Sequence, residues 1–127
     1  MSVSFDAQRG LVVVPSELEG PFGSAFIRLA VDTGATSTLI NAAILVSLGY
    51  DPGASTERVQ VTTGSGVEFA PQINLRRIKA LAREYLSFPV LCHTLPPSAG
   101  VDGLLGLDFF RGQNLNIDFR AGQIILA

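Results

Sequence analysis

Apolar and polar positions alternate along much of the chain in short runs separated by glycine- and proline-rich turns, which is the pattern of β-strands. The run at residues 26–31 has the β-branched and aromatic content of a buried or half-buried strand, and it ends directly at Asp32. The turn-rich stretch 19–23 leads into it, and Pro15 is expected to end the strand before that turn. Strands are also predicted at residues 2–5, 11–14, 36–40, 59–63, 67–70, 114–119 and 123–126.

One short helix is predicted at residues 42–48. Asn41 precedes it as an N-cap residue, and Gly49 follows it as a terminator. The next three residues, 51–53, read Asp-Pro-Gly and indicate a turn. This helix is expected to pack on the sheet.

The periodicity of residues 71–92 fits two structures. Leu75, Ile78, Ala82 and Tyr85 are spaced like one face of a helix. Later positions, Leu86, Phe88 and Val90, alternate as they do in a strand. The residue pattern alone leaves the first half of this stretch open.

Length and composition indicate one β-rich domain covering residues 1–127. Of the 127 residues, 47% are hydrophobic and 16% charged, and 13 glycines and 7 prolines supply tight turns. The net charge of -2 gives no overall attraction to nucleic acid or to an anionic membrane. A basic cluster, Arg76, Arg77, Lys79 and Arg83, has no aromatic residues interleaved with it, so a solvated strand face is favoured over a nucleic-acid site.

The cysteine and histidine content excludes several kinds of site. Cys92 is the single cysteine, so no internal disulfide forms, which fits a reducing compartment. His93 is the single histidine, which excludes zinc sites built on several imidazoles, and no metal or cofactor is expected. Because neighbours on a strand point to opposite faces, Cys92 and His93 are not expected to form a catalytic pair. With no leader pattern and no bilayer-spanning apolar run, a soluble cytoplasmic protein is expected.

Two short motifs carry the candidate chemistry. Asp32 follows the apolar run and precedes Thr33, Gly34 and Ala35, which places its carboxylate at the edge of a core. Thr33 can supply a hydroxyl for hydrogen bonding, Gly34 allows a close backbone approach or a positive φ, and Ala35 takes up little space. Taken alone, these residues also suit a simple strand-to-loop turn. The second motif, Leu104, Leu105 and Gly106, suits a short buried strand in close contact with another backbone.

Together the two motifs resemble the retropepsin-like aspartic proteases, the single-domain, homodimeric branch of the pepsin clan, over nearly the whole chain. The resemblance implies a mainly β, closed, barrel-like retropepsin (acid protease) fold with one or two short helices. It assigns catalytic positions to Asp32, Thr33 and Gly34, and a substrate contact to Ala35. It makes Leu104, Leu105 and Gly106 a structural motif that crosses beneath the catalytic one, and it favours two strands joined near Ala82.

Residues 59–63 and 67–70 flank a glycine-rich turn and predict a β-hairpin. The resemblance implies that this hairpin is a flap over a peptide or protein substrate, contacted through Thr63, Gly64, Ser65 and Gly66. A tight turn with no further role is the alternative.

The resemblance implies an aspartic endopeptidase in which two carboxyl groups share a proton and activate water. The chain has one Asp-Thr-Gly motif, so the second Asp32 is expected from another copy in a homodimer. A catalytically silent binding or dimerisation domain of a larger protein is the alternative. Viral members carry an acidic residue at the position of Thr36 and an arginine at that of Leu107, so this chain looks more like cellular or bacterial relatives. Asp102 and Asp108 are interpreted as structural.

The resemblance also bears on the strands predicted near the chain ends. In the family, the N-terminal strand often joins the C-terminal strand of the partner subunit. Pairing within the same chain is the alternative.

Overall fold

The structure, a computed structural model, describes residues 2–63 and 66–127. In these described ranges, which are mostly strand, there are two short helices, α1 (Ala42–Ser47) and α2 (Leu107–Phe110), and two single 3₁₀ turns, Pro52–Ala54 and Pro97–Ala99. The strands are β1 (Ser2–Ser4), β2 (Val13–Gly20), β3 (Gly23–Val31), β4 (Leu39–Asn41), β5 (Arg58–Thr63), β6 (Gly66–Ala80), β7 (Arg83–His93), β8 (Gly103–Leu105), β9 (Leu115–Asp118) and β10 (Gln123–Leu126).

Six strands form a closed barrel in the order β2, β3, β8, β4, β7, β6. The barrel closes because β6 also pairs with β2, with Ser16 opposite Ala80. The first residues of β6, from Gly66 to Pro71, extend outside the barrel and pair with β5 in the predicted hairpin. The expected mainly β, closed, barrel-like architecture with two short helices is therefore confirmed.

A second sheet of three strands, in the order β1, β10, β9, packs against the core. Ser2 lies opposite Ile125, so the N-terminal strand pairs with the C-terminal strand of the same chain. Ile124 and Leu126 of β10 are buried against the main core. Pairing within the chain is thus the arrangement that the structure contains.

The alternation of β3 shows how the sequence pattern builds the core. Ile27 and Leu29 point inward and are buried, whereas Phe26 and Arg28 point outward and are exposed. Phe109 of α2 is fully buried at the centre of the same cluster. None of the helices in the described ranges is long and apolar enough to cross a membrane.

Some of the predicted boundaries were wrong. β2 continues through Pro15 to Gly20. Pro15 pairs with Arg28 of β3, but the pairing of β2 with β6 begins only at Ser16. At Pro15 the β6 side of β2 is therefore a sheet edge, where proline is tolerated because no N–H is needed. The strand predicted at 36–40 is shorter and begins at Leu39. Asn41 occupies the N-cap position of α1 but its side chain makes no capping hydrogen bond, while Gly49, with φ of 95°, follows the helix as predicted.

Residues 71–92 form strands and no helix. The turn between β6 and β7 lies at Leu81 and Ala82, which both have positive φ. Ser87 in β7 also has positive φ, and its neighbours Phe88 and Leu86 pair with Leu75 and Arg77 of β6. Beside this irregular position, Leu75 and Ile78 are both buried although they are three residues apart. This interruption of the strand pleat explains why the sequence showed a helix-like spacing here.

Candidate active site

Asp32 follows directly on β3 at the point where that strand leaves the core. Its backbone N–H donates a 2.9 Å hydrogen bond to the carbonyl oxygen of Leu105, the last residue of β8. Because β8 runs parallel to β3 with Val31 opposite Leu105, this bond continues the barrel ladder by one residue. The backbone of Asp32 is therefore held by a strand, while its side chain is partly exposed.

A tight turn orients the Asp32 carboxylate. The N–H of Gly34 donates to Oδ1 of Asp32 at 2.9 Å, and the N–H of Ala35 donates to the Asp32 carbonyl at 3.2 Å. A Cβ atom on Gly34 would lie 3.2 Å from the same Oδ1, so glycine suits the closeness of this contact. Thr33 and Gly34 themselves are exposed at the surface.

The Leu104-Leu105-Gly106 motif lies beneath this turn. Its strand, β8, is parallel to β3 on one side and antiparallel to β4 on the other. A Cβ atom on Gly106 would lie 2.5 Å from the carbonyl carbon of Ser37 and 2.9 Å from the carbonyl oxygen of Ala35. The backbone angles of Gly106 are ordinary, so the lack of space, and not its conformation, requires glycine. This matches the close backbone contact expected from the sequence.

The two acidic residues that flank the motif both bind backbone groups. Oδ2 of Asp102 accepts a 2.9 Å hydrogen bond from the N–H of Arg28 in β3. Asp108 accepts from both the N–H and the hydroxyl of Thr38, at 3.0 and 2.7 Å. Their geometry agrees with the structural interpretation of both residues. The partner of Asp108 was not predicted, because a contact across 70 residues leaves no local signal.

A cleft of about 520 Å³ opens beside Asp32. Ala35 lines it, together with Leu104 of the second motif. Apart from Asp32, the described residues that line it are uncharged: Gly34, Ala35, Thr36, Ser37, Leu39, Val59, Gln60, Val61, Leu91 and Leu104. Thr33 is outside this described lining, on the exposed surface.

The hairpin forms one wall of the cleft through Val59, Gln60 and Val61 of β5. Thr63 and Gly66 face each other at the end of the β5–β6 ladder, and Gly64 and Ser65 lie outside the described residues. Sequence analysis assigned the substrate contacts to the hairpin turn and missed this wall. The alternation of Val59 and Val61 was the available signal, because it marks the inward face of a strand.

Leu39 and Leu91 are lining residues that sequence analysis also missed. They belong to β4 and β7, which pair in parallel with Leu39 opposite Leu91. Both are buried, in a small cluster with Ala70 of the hairpin. The register of two strands so distant in sequence is not readable from the chain, so no signal could have placed these leucines together.

Cys92 and His93 have different surroundings. Cys92 is buried, and burial raises the pKa of its thiol above the ordinary value. His93 is partly exposed, and its Nε2 lies 3.1 Å from Oε2 of Glu68 on the hairpin. Within residues 2–63 and 66–127, no cluster of three or more His, Cys, Asp or Glu side chains could hold a metal ion.

Comparison with known proteins found both a family and solved structures that resemble this chain. The model of the family described as "gag-polyprotein putative aspartyl protease" matches residues 19–112, a range that contains both motifs. The crystal structure of a retropepsin-like aspartic protease from Rickettsia conorii has the same fold, with a TM-score of 0.73 and 17% identity over 99% of this chain and 89% of that chain. No curated protein sequence matched.

Proposed function

Because the chain belongs to the gag-polyprotein aspartyl protease family, we propose that it is an aspartic endopeptidase that acts as a homodimer. One observation carries the proposal. The Asp32 carboxylate is oriented by the Gly34 N–H at the edge of a cleft large enough for peptide side chains. Since the chain has a single Asp-Thr-Gly motif, the second carboxylate comes from Asp32 of another copy across a two-fold axis.

The chemistry follows from two carboxyl groups held close together. Like charges at hydrogen-bonding distance do not both ionise, so the pair of Asp32 side chains holds one proton and titrates as a unit. The ionised carboxylate takes a proton from water, which attacks the peptide carbonyl, while the protonated one hydrogen-bonds to the carbonyl oxygen. The amine then leaves with a proton from the pair. One copy alone is therefore inactive.

Thr33 and Gly34 complete the catalytic turn in this proposal. Thr33 is exposed beside Asp32, so its hydroxyl is not packed in the core and can hydrogen-bond with Thr33 of the other copy. Such an exchange would hold the two carboxylates in one plane. Gly34 supplies the N–H that orients Oδ1 and leaves room for substrate.

The proposed substrate is an extended peptide that lies between Asp32 and the hairpin. Main-chain hydrogen bonds of the strand-addition kind would hold it, with apolar side chains against Leu39, Val59, Val61 and Leu91. The hairpin, including Thr63 and Gly66 and the two residues between them, is proposed to close over the peptide as a flap.

The test is cleavage of denatured casein from acidic to neutral pH by wild type and Asp32→Asn, with pepstatin as an added inhibitor. Asp6→Asn is a matched control, because Oδ1 of Asp6 accepts from Gln8 N–H at 3.0 Å and its carbonyl accepts from Arg9 N–H at 3.2 Å, the same turn as at Asp32. Loss of cleavage in Asp32→Asn but not in Asp6→Asn supports the aspartic mechanism. A folded, dimeric wild type that cuts nothing would contradict the proposal and favour a binding domain.

The dimer is tested separately by mixing. If each active site needs two Asp32 side chains, an excess of Asp32→Asn protein lowers the activity of a fixed amount of wild type through mixed dimers. Asp6→Asn protein does not lower it. Wild-type activity that is insensitive to excess Asp32→Asn would contradict the shared site.

A further inference from the structure

The turn that carries Asp32 is part of a longer segment, residues 32–38, named here the Asp32 loop. Two backbone hydrogen bonds fasten its beginning to the end of β8 and its middle to the start of α2. Asp32 N–H donates to the carbonyl of Leu105 at 2.9 Å, and Leu107 N–H donates to the carbonyl of Ala35 at 2.8 Å. The outer side of the loop, at Thr33, Gly34 and Thr36, is exposed to solvent.

The end of the loop is fastened by a side chain. Thr38 is fully buried, and its hydroxyl donates to Oδ1 of Asp108 at 2.7 Å while accepting the N–H of Gly106 at 3.1 Å. The Thr38 N–H also donates to both carboxylate oxygens of Asp108, each 3.0 Å from the Thr38 nitrogen. An ionised carboxylate accepts and cannot donate, so it sets the direction of the chain from Gly106 through the Thr38 hydroxyl to Asp108.

Asp108 therefore locks together the two motifs on which the site depends. Thr38 ends the loop that begins with Asp32, and Gly106 directly follows β8, the strand that supports this loop. The contact at Gly106 has no free space, since a Cβ atom there would lie 2.6 Å from the carbonyl oxygen of Ser37. A shift of Thr38 is thus transmitted to the loop backbone between Ala35 and Ser37.

We propose that Asp108 is a positioning residue for Asp32, acting through Thr38. This inference rests on the proposed function, because it concerns the distance and alignment of the two Asp32 carboxylates. A misplacement of about 1 Å in a catalytic group costs on the order of 100-fold in rate. The hairpin wall at Val59 and Val61 belongs to β5, which is no part of the Asp32 loop, so the larger effect falls on kcat. The Thr38 carbonyl also accepts the Leu91 N–H at 2.9 Å, so a smaller change in KM is expected.

The experiment compares Asp108→Ala and Thr38→Val with Asp102→Ala. Asp102 is the matched control, because its carboxylate also accepts a backbone N–H across the motif but contacts β3 at Arg28 and not the Asp32 loop. We expect kcat to fall about 100-fold in the first two variants and less than about 3-fold in Asp102→Ala. Thr38→Ser keeps the hydroxyl and is expected to restore kcat. Thr38→Val keeps the side-chain shape and provides the test if Asp108→Ala does not fold.

Several outcomes would overturn the inference. One is wild-type kcat in Thr38→Val, and another is an equal loss in Asp102→Ala. If wild type cleaves nothing, the proposed function fails. Whether Asp108 and Thr38 hold the Asp32 loop in place is then tested by NMR, on the amide resonances of Gly34 and Ala35. Exchange broadening of these signals in Thr38→Val but not in Asp102→Ala supports it. Unchanged signals in Thr38→Val contradict it.

Discussion

The hydroxyl of Tyr50 donates a 2.6 Å hydrogen bond to the carbonyl oxygen of Glu19, which joins the segment after α1 to β2. The hydroxyl oxygen of Tyr50 in turn accepts a 2.8 Å hydrogen bond from the N–H of Arg76 in β6. One side chain thus connects the two strands whose pairing closes the barrel. Burial raises the pKa of Tyr50 above the ordinary phenol value, because it disfavours the phenolate.

Tyr50→Phe is expected to lower the free energy of unfolding by about 1–2 kcal/mol, because it leaves the Glu19 carbonyl and the Arg76 N–H without this partner. Urea denaturation at neutral pH measures the difference. No change in stability would show that water replaces the hydroxyl without cost.

The stabilisation by Tyr50 is also expected to depend on pH. A raised pKa in the folded state means that folding favours the neutral phenol, so this contribution is complete below the ordinary pKa of about 10 and is lost as the pH rises above it. The stability difference between wild type and Tyr50→Phe should therefore shrink in alkaline solution. A difference that is constant from neutral pH to about pH 11 would contradict the assignment.

Gly106→Ala is expected to destabilise the fold by about 3 kcal/mol or more, because the added methyl meets backbone atoms of Ser37 and Ala35 that are held in place. Gly10→Ala is the control, since a Cβ atom there meets nothing within 4 Å. Thermal unfolding of both variants provides the comparison. Equal melting temperatures would mean that the backbone at Ser37 yields easily.

Cys92 is expected to react slowly with an aromatic disulfide reagent in the native protein. Its thiol is buried, and the raised pKa keeps the thiolate fraction low until the pH exceeds the ordinary value. The rate should rise steeply in denaturant, where the thiol is exposed. Rapid stoichiometric labelling under native conditions at neutral pH would contradict this burial.

The alternation of β3 is tested by two neighbouring residues. Ile27→Ala is expected to cost about 2–4 kcal/mol because Ile27 is 4% exposed within the core. Phe26→Thr is expected to change stability by less than about 0.5 kcal/mol, since Phe26 is 84% exposed and threonine keeps the β preference. Equal effects in urea denaturation would argue against this strand orientation.

Much of the fold was predictable because its signals are local. The strand that ends at Asp32, the helix after Asn41, the hairpin of β5 and β6 and the two final strands all follow from alternation and turn residues in short windows. The Asp-Thr-Gly motif and the glycine of the second motif also stand out locally, and the family resemblance that they carry implied that they meet.

What the sequence did not predict depends on contacts between distant residues. The passage of β2 through Pro15 depends on where β6 begins to pair, and the burial of both Leu75 and Ile78 depends on the unusual backbone of Ser87. The cleft wall that joins Leu39 to Leu91 depends on a parallel register. The partnership of Thr38 with Asp108 likewise requires the folded barrel. No local pattern encodes any of these.

The support of the Asp32 loop by β8 and Asp108 has a consequence for the order of folding. Asp102 and Arg28 are 74 residues apart, and Asp108 and Thr38 are 70 apart. Contacts of such long range form slowly, and during synthesis they cannot form before Asp108 has left the ribosome. A nascent chain that already contains the Asp-Thr-Gly motif therefore lacks its geometry. The proposed proteolytic activity would arise late, when synthesis has passed the residues that support the motif.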